Sequence, residues 1–184
     1  MIEKLKLNRS DMVLLIVDVQ ERLARVMERR EQVEKSIVVL IRLARLMDIP
    51  IVLTQQYTKG LGPTVEALAS ELEGVDYVEK IHFSCCGEEN FTRQMDALGR
   101  KTVLLTGMES HICVLQTALD LLDTGYNVHV PWDAVCSRID GNRDRALGFM
   151  EKAGAVITSS ETAAFQVLGC AGTPEFKEIS ALLR

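Results

Sequence analysis

Strand-length apolar runs alternate with amphipathic helical stretches from one end of this chain to the other, and nothing else in it constrains the fold so tightly. Met12–Val19 reads as a buried strand, and Glu31–Met47 follows as a helix. Its Val33, Ile37, Val38, Leu40, Ile41, Ala44 and Leu46 make one broad apolar face. Ile49-Pro50 ends that helix, and Ile51–Thr54 reads as the second strand. Thr64–Glu73 reads as a short helix, Tyr77–Lys80 as a strand, Glu88–Leu98 as a helix and Thr102–Thr106 as a strand. Cys113–Asp123 is then a helix, Asn127–Val130 a strand, Asn142–Ala153 a helix and Ala155–Thr158 a strand. Helical segments around Thr162–Leu168 and Pro174–Leu183 close the chain. Strands that are apolar throughout are buried on both faces, and helical crossovers between strands make the sheet parallel. The expectation is one three-layer α/β/α domain over residues 1–184, with a mainly parallel sheet of about six strands. Such sheets bind ligands beyond the carboxyl ends of their strands, where the strand order reverses.

Those strand ends carry unusual residues. An aspartate, Asp18, closes an otherwise apolar strand, where a carboxylate is costly to bury without a partner. It reads either as a general base or as a buried carboxylate capping a neighbouring segment. Lys80 ends the third strand and reads as a surface lysine unless Asp18 and a thiol converge on it. Cys113 follows the fourth strand through Gly107-Met108-Glu109-Ser110-His111-Ile112, in the first turn of the expected helix. Unpaired N–H groups and the macrodipole favour negative charge there, so a thiol so placed should lose its proton more easily. The loop Gln55–Pro63 mixes amides, a phenol and glycines, and suits either a pocket wall or an ordinary connection.

Other chemistries find less support. A net charge of −5 argues against nucleic acid as the main partner. No run is long and apolar enough for a membrane span, no start resembling a signal peptide is present, and five cysteines do not pair into a framework. Reduced thiols and a cytoplasmic location are the expectation. Neither a phosphate-binding glycine pattern nor a Gly-x-Ser-x-Gly elbow occurs. His82, Cys85, Cys86 and His111 do not form a paired ligand set, so neither a metal nor a cofactor is expected.

Taken in order, Asp18-x-Gln20, Lys80 through Phe83, and Gly107-x-x-Ser110-x-x-Cys113-Val114 resemble the isochorismatase-like cysteine hydrolase superfamily, over nearly the whole chain. Gln56-Tyr57-x-Lys59-Gly60-Leu61-Gly62-Pro63-Thr64, Leu119–Asp123, Asp133-Ala134-x-x-Ser137-Arg138 and Pro174–Ile179 look closest to its isochorismatase domain-containing subgroup. The resemblance implies Cys113 as nucleophile, Asp18 as base and Lys80 as orienting cation. It also implies a cis peptide at Met108–Glu109 and an oxyanion hole built from the N–H groups of Glu109 and Cys113. Gln20, Gln55, Tyr57, Phe83 and Ser110 are the candidates for lining the pocket. Family nicotinamidases carry metal-binding histidines after strand two, where this chain has Gln55-Gln56-Tyr57. True isochorismatases generally lack the cysteine. The resemblance thus implies a homo-oligomeric hydrolase acting on a small-molecule substrate, at an amide or related C–N acyl bond. An inert binding scaffold on the same fold is the rival reading, as is a thiol redox sensor pairing Cys113 with Cys85 or Cys86. Glu109, where the family commonly has alanine, brings a carboxylate near the thiol.

Overall fold

In a computed structural model describing residues 2–183, seven strands form one sheet with helices on both faces. The strands are β1 (Met12–Val17), β2 (Ile51–Gln56), β3 (Tyr77–Lys80), β4 (Thr102–Met108), β5 (Asn127–Pro131), β6 (Val135–Cys136) and β7 (Val156–Thr158). Their order is β3-β2-β1-β4-β5-β7, with β6 paired to the end of β4, and every pairing between them is parallel. The sheet is the parallel one expected, with one strand more than the sequence suggested. The extra strand, β6, has two residues, too few to show any periodicity.

β1 shows why the chain layers as it does. All six of its residues are buried, and they alternate between two cores. Met12, Leu14 and Ile16 pack with residues of α2 (Arg30–Leu46, after the single turn α1, Glu21–Ala24), notably Ile37, Leu40, Ile41 and Ala44. The single turns α3 (Thr58–Leu61) and α4 (Glu66–Ala69) lie between β2 and β3, so the helix expected at Thr64–Glu73 is one turn only. Val13, Leu15 and Val17 pack with Phe91 and Met95 of α5 (Glu89–Leu98), Ala118 and Leu121 of α6 (Leu115–Asp123), and Met150 of α7 (Asp140–Ala153). α8 (Ser160–Leu168) and α9 (Pro174–Leu182) complete the first layer through Ala163, Ala164 and Ile179.

The strand order reverses between β1 and β4, which places the ends of these two strands at the switch point. They approach closely there. Gly107 of β4 lies opposite Val17 at φ +120, and a Cβ on it would overlap the Val17 carbonyl. Only glycine serves at this position. Gly107→Ala should destabilise the protein by about 3 kcal/mol, the cost of overpacking plus backbone strain. Gly148→Ala should instead stabilise it by up to about 1 kcal/mol, because Gly148 lies inside α7 with open space around it. Urea unfolding followed by circular dichroism reads both.

Candidate active site

Three strand ends bring together the three residues singled out in the sequence. Asp18 follows β1 in the left-handed conformation, φ 52, which aspartate tolerates better than most residues. Its side chain is 0% exposed. One carboxylate oxygen, Oδ1, accepts the Thr54 hydroxyl of β2 at 2.7 Å, and Oδ2 faces the Lys80 ammonium at 2.7 Å. Lys80, the last residue of β3, is equally buried. Its Nζ also meets Gln56 Oε1 at 2.6 Å and the carbonyls of Phe83 and His82 at 3.0 and 3.1 Å. Such a pair is tolerated inside a protein only when further hydrogen bonds offset desolvation, and removing one partner typically costs about 3–5 kcal/mol.

The third member arrives on a turn different from the one expected. Ser110–Val114 forms a π-helical turn, closed by the Val114 N–H donating to the Glu109 carbonyl at 3.2 Å, and α6 begins only at Leu115. Turns of this type are rare and concentrate at functional sites. Sequence periodicity does not separate a π turn from the α-helix it leads into. Cys113, 6% exposed, lies near enough to Asp18 and Lys80 for both charges to act on its thiol. The peptide between Met108 and Glu109 is cis.

The electrostatics differ from the sequence expectation. Burial, then the Asp18 charge, push the Cys113 thiol up to about 12, and Lys80 only partly opposes them. Here the helix start does not acidify the thiol, because desolvation and an adjacent carboxylate outweigh it. Burial likewise raises the Asp18 carboxyl above its ordinary value, against Lys80 and Thr54. Lys80 is also desolvated, yet Asp18, Cys113 and Cys85 together hold its ammonium above the usual lysine value. The Glu109 carboxylate does not act on Cys113. It turns away to Arg138, whose backbone N–H and Nε donate to it at 2.9 and 3.1 Å.

The remaining candidates divide into two groups. Tyr57 and Phe83 are exposed on loops next to Lys80, and Ser110 is buried beside Cys113 with no partner for its hydroxyl among the described residues. Gln20 and Gln55 are engaged within the protein. Gln20 accepts the Gln56 N–H at 2.8 Å and donates to the carbonyls of Gln56 and Gly62 at 3.0 and 2.7 Å. Gln55 donates to Thr64 at 3.0 Å and accepts from Thr58 at 3.0 Å. Both amides hold the loop after β2. Sequence reasoning missed Thr54 and Gln56, which support Asp18 and Lys80. Thr54 carries the same signal as Asp18, a polar residue ending an apolar strand.

Among the described residues, no group of three or more His, Cys, Asp or Glu side chains is placed to hold a metal ion. The histidines are engaged elsewhere: His82 with Glu88 at 2.8 Å, His111 with Ser137 at 2.9 Å and His129 with the Lys4 carbonyl at 3.0 Å. All five cysteines are free, and burial pushes Cys85 and Cys86 up to about 12 and about 11. Among the described residues, no helix is long and apolar enough to cross a membrane.

Comparison with known proteins gives a consistent result. The isochorismatase domain model matches residues 12–162. A secreted isochorismatase effector, Isc1, of Phytophthora sojae is 43% identical over 94% of this chain and 84% of its own length. Isochorismatase domain-containing protein 2 of Rattus norvegicus is 38% identical over 94% and 80%. The structure described as MAR1 ribonuclease from Caenorhabditis elegans superposes with a TM-score of 0.90 at 37% identity, covering 97% of this chain and 92% of that one. The YcaC gene product of Escherichia coli, described as an octameric hydrolase of unknown specificity, superposes at 0.86 with 24% identity over 97% and 87%, a likeness of fold.

The charge arrangement makes a direct prediction. Asp18→Asn keeps the shape but removes the negative charge that helps push the thiol up, leaving Lys80 to stabilise a thiolate. The pH profile of Cys113 alkylation by iodoacetamide, followed by peptide mass spectrometry, should therefore shift to lower pH in this variant. An unchanged or upward-shifted profile would show that Asp18 does not govern the thiol.

Proposed function

The chain belongs to the isochorismatase family, in its isochorismatase domain-containing subgroup, and we propose that it is a cysteine hydrolase of small amides or related C–N acyl bonds. The observation that carries this reading is the fully buried Asp18–Lys80 pair, whose two charges act on the nearby Cys113 thiol. A pair of that kind, set at the switch point of a parallel sheet, is costly to maintain for structure alone.

In the proposed mechanism the substrate carbonyl meets Cys113, and Asp18 takes the thiol proton as sulfur attacks carbon. A thiol held near 12 makes the free thiolate scarce, so proton transfer and attack belong to one step. A carboxylate raised above its ordinary value is a correspondingly stronger base. Lys80 keeps Asp18 ionised and oriented. The N–H groups of Glu109 and Cys113 hold the oxyanion. The tetrahedral intermediate collapses to a thioester as ammonia or an amine departs with the proton from Asp18. Asp18 then takes a proton from water, which cleaves the thioester to a carboxylic acid and restores the thiol. Tyr57, Phe83 and Ser110 line the approach, with Gln20 and Gln55 shaping it through the loop they hold.

Vinyl-ether cleavage calls for no sulfur nucleophile, and Cys113 favours acyl chemistry instead. The raised thiols of Cys85, Cys86 and Cys113 weigh against a redox sensor, because the thiolate is the reactive form. We take the chain to act as one domain and as a homo-oligomer, in keeping with the octamer described for the YcaC product and with the exposed Tyr57, Ile81 and Phe83 near the site. Five free cysteines support a cytoplasmic location.

Ammonia release from a panel of small amides tests the reading, with an oligoribonucleotide as a further arm because the C. elegans relative is described as a ribonuclease. Cys113→Ala should lower amide turnover by about 10³-fold or more while the circular dichroism spectrum stays that of the parent. Unchanged turnover in that variant would overturn the mechanism, as would RNA cleavage by a protein inert toward every amide.

A further inference from the structure

The segment Asp133-Ala134-x-x-Ser137-Arg138 has no part in the chemistry above, yet the side chains of Ser137 and Arg138 at its end meet the turn that carries Cys113. Arg138 donates its backbone N–H and its Nε to the buried Glu109 carboxylate at 2.9 Å and at 3.1 and 3.2 Å. Ser137 Oγ lies 2.9 Å from His111 Nδ1, and Asn142 Nδ2 lies 3.4 Å from His111 Nε2. Both ring nitrogens of His111 thus face a polar neighbour outside the turn. The turn is therefore gripped at Glu109 and at His111, on either side of Ser110.

The other end of the segment is anchored in the opposite layer. The Asp133 carboxylate accepts the Ser160 N–H at 2.8 Å, the Ser36 hydroxyl at 3.2 Å and the Ser160 hydroxyl. Ser160 opens α8 and Ser36 lies on α2. Between the two ends, the Ala134 carbonyl accepts the Gly107 N–H at 3.0 Å, just ahead of the turn. The π turn is thus braced from outside as well as by its own Val114 N–H bond to the Glu109 carbonyl.

We infer that Ser137 and Arg138 are positioning residues. Acting through His111 and Glu109, they keep the Cys113 sulfur within reach of Asp18 and the Glu109 N–H where the oxyanion forms. The inference rests on Cys113 being the nucleophile. A misplacement of about 1 Å at a reacting group can cost about 10²-fold in rate.

Arg138→Ala leaves the buried Glu109 carboxylate without its ion partner, so Ser137→Ala, which removes only a hydroxyl, is measured beside it. In both variants kcat should fall, by up to about 10²-fold, with KM held. Iodoacetamide alkylation of Cys113 should change several-fold, while Cys86 and Cys170 in the same sample keep their rates. Arg138→Lys should restore part of the loss, since an ammonium still reaches Glu109. A folded Ser137→Ala or Arg138→Ala protein with the parent's kcat and Cys113 alkylation rate would overturn the inference. Alkylation needs no substrate, so this readout stands even if no amide proves to be one.

Discussion

The buried ion pair between Asp18 and Lys80 is the interaction on which the rest of this molecule depends. Two full charges lie out of water at the carboxyl end of the sheet, 2.7 Å apart. Their cost is offset only because Thr54, Gln56 and two backbone carbonyls complete the hydrogen bonding around them. That requirement explains much of the local architecture. β2 extends to Gln56 so that Thr54 and Gln56 stand beside the two charges. The chain after β3 curls so that the carbonyls of His82 and Phe83 face the ammonium. The left-handed turn at Asp18 sets the carboxylate against both.

The same pair sets the character of the thiol. A helix start alone would make Cys113 acidic and indiscriminately reactive. Burial and a carboxylate nearby do the reverse and hold the proton on sulfur; in the mechanism we propose, it stays there until a carbonyl is in place to accept the electrons. An acid–base pair of this kind protects a nucleophile from passing electrophiles while keeping it available to a bound substrate.

The sheet was legible in the sequence because apolar alternation survives in a single chain. Strands β1 to β5 and β7, and the long helices α2, α5 and α7, fall within a few residues of where periodicity puts them. Two-residue β6 was not legible, nor was the π turn, since neither repeats long enough to show a period. The convergence of Asp18, Lys80 and Cys113 could be read from their order and from the family they resemble. Their protonation could not, because burial is a property of the folded layers and not of the residues flanking a cysteine. Gln20 and Gln55 illustrate the same limit. Polar residues near a site look like substrate contacts in a sequence, whereas here the Gln20 amide ties the loop after β2 to the end of β1 and the Gln55 amide braces that loop from β2.

The three converging residues lie at positions 18, 80 and 113, on segments separated by two long stretches of chain. No local piece of the protein contains the site. It comes into being only when β1, β2, β3 and β4 have paired, and pairing between parallel strands so distant in sequence is among the slower steps available to a folding chain. Until that sheet is complete, Cys113 is an ordinary thiol with an ordinary proton affinity. Assembly of the sheet is thus also the event that raises the proton affinity of Cys113 and sets it near Asp18 and Lys80, so the thiol is more open to passing electrophiles before the sheet closes than after.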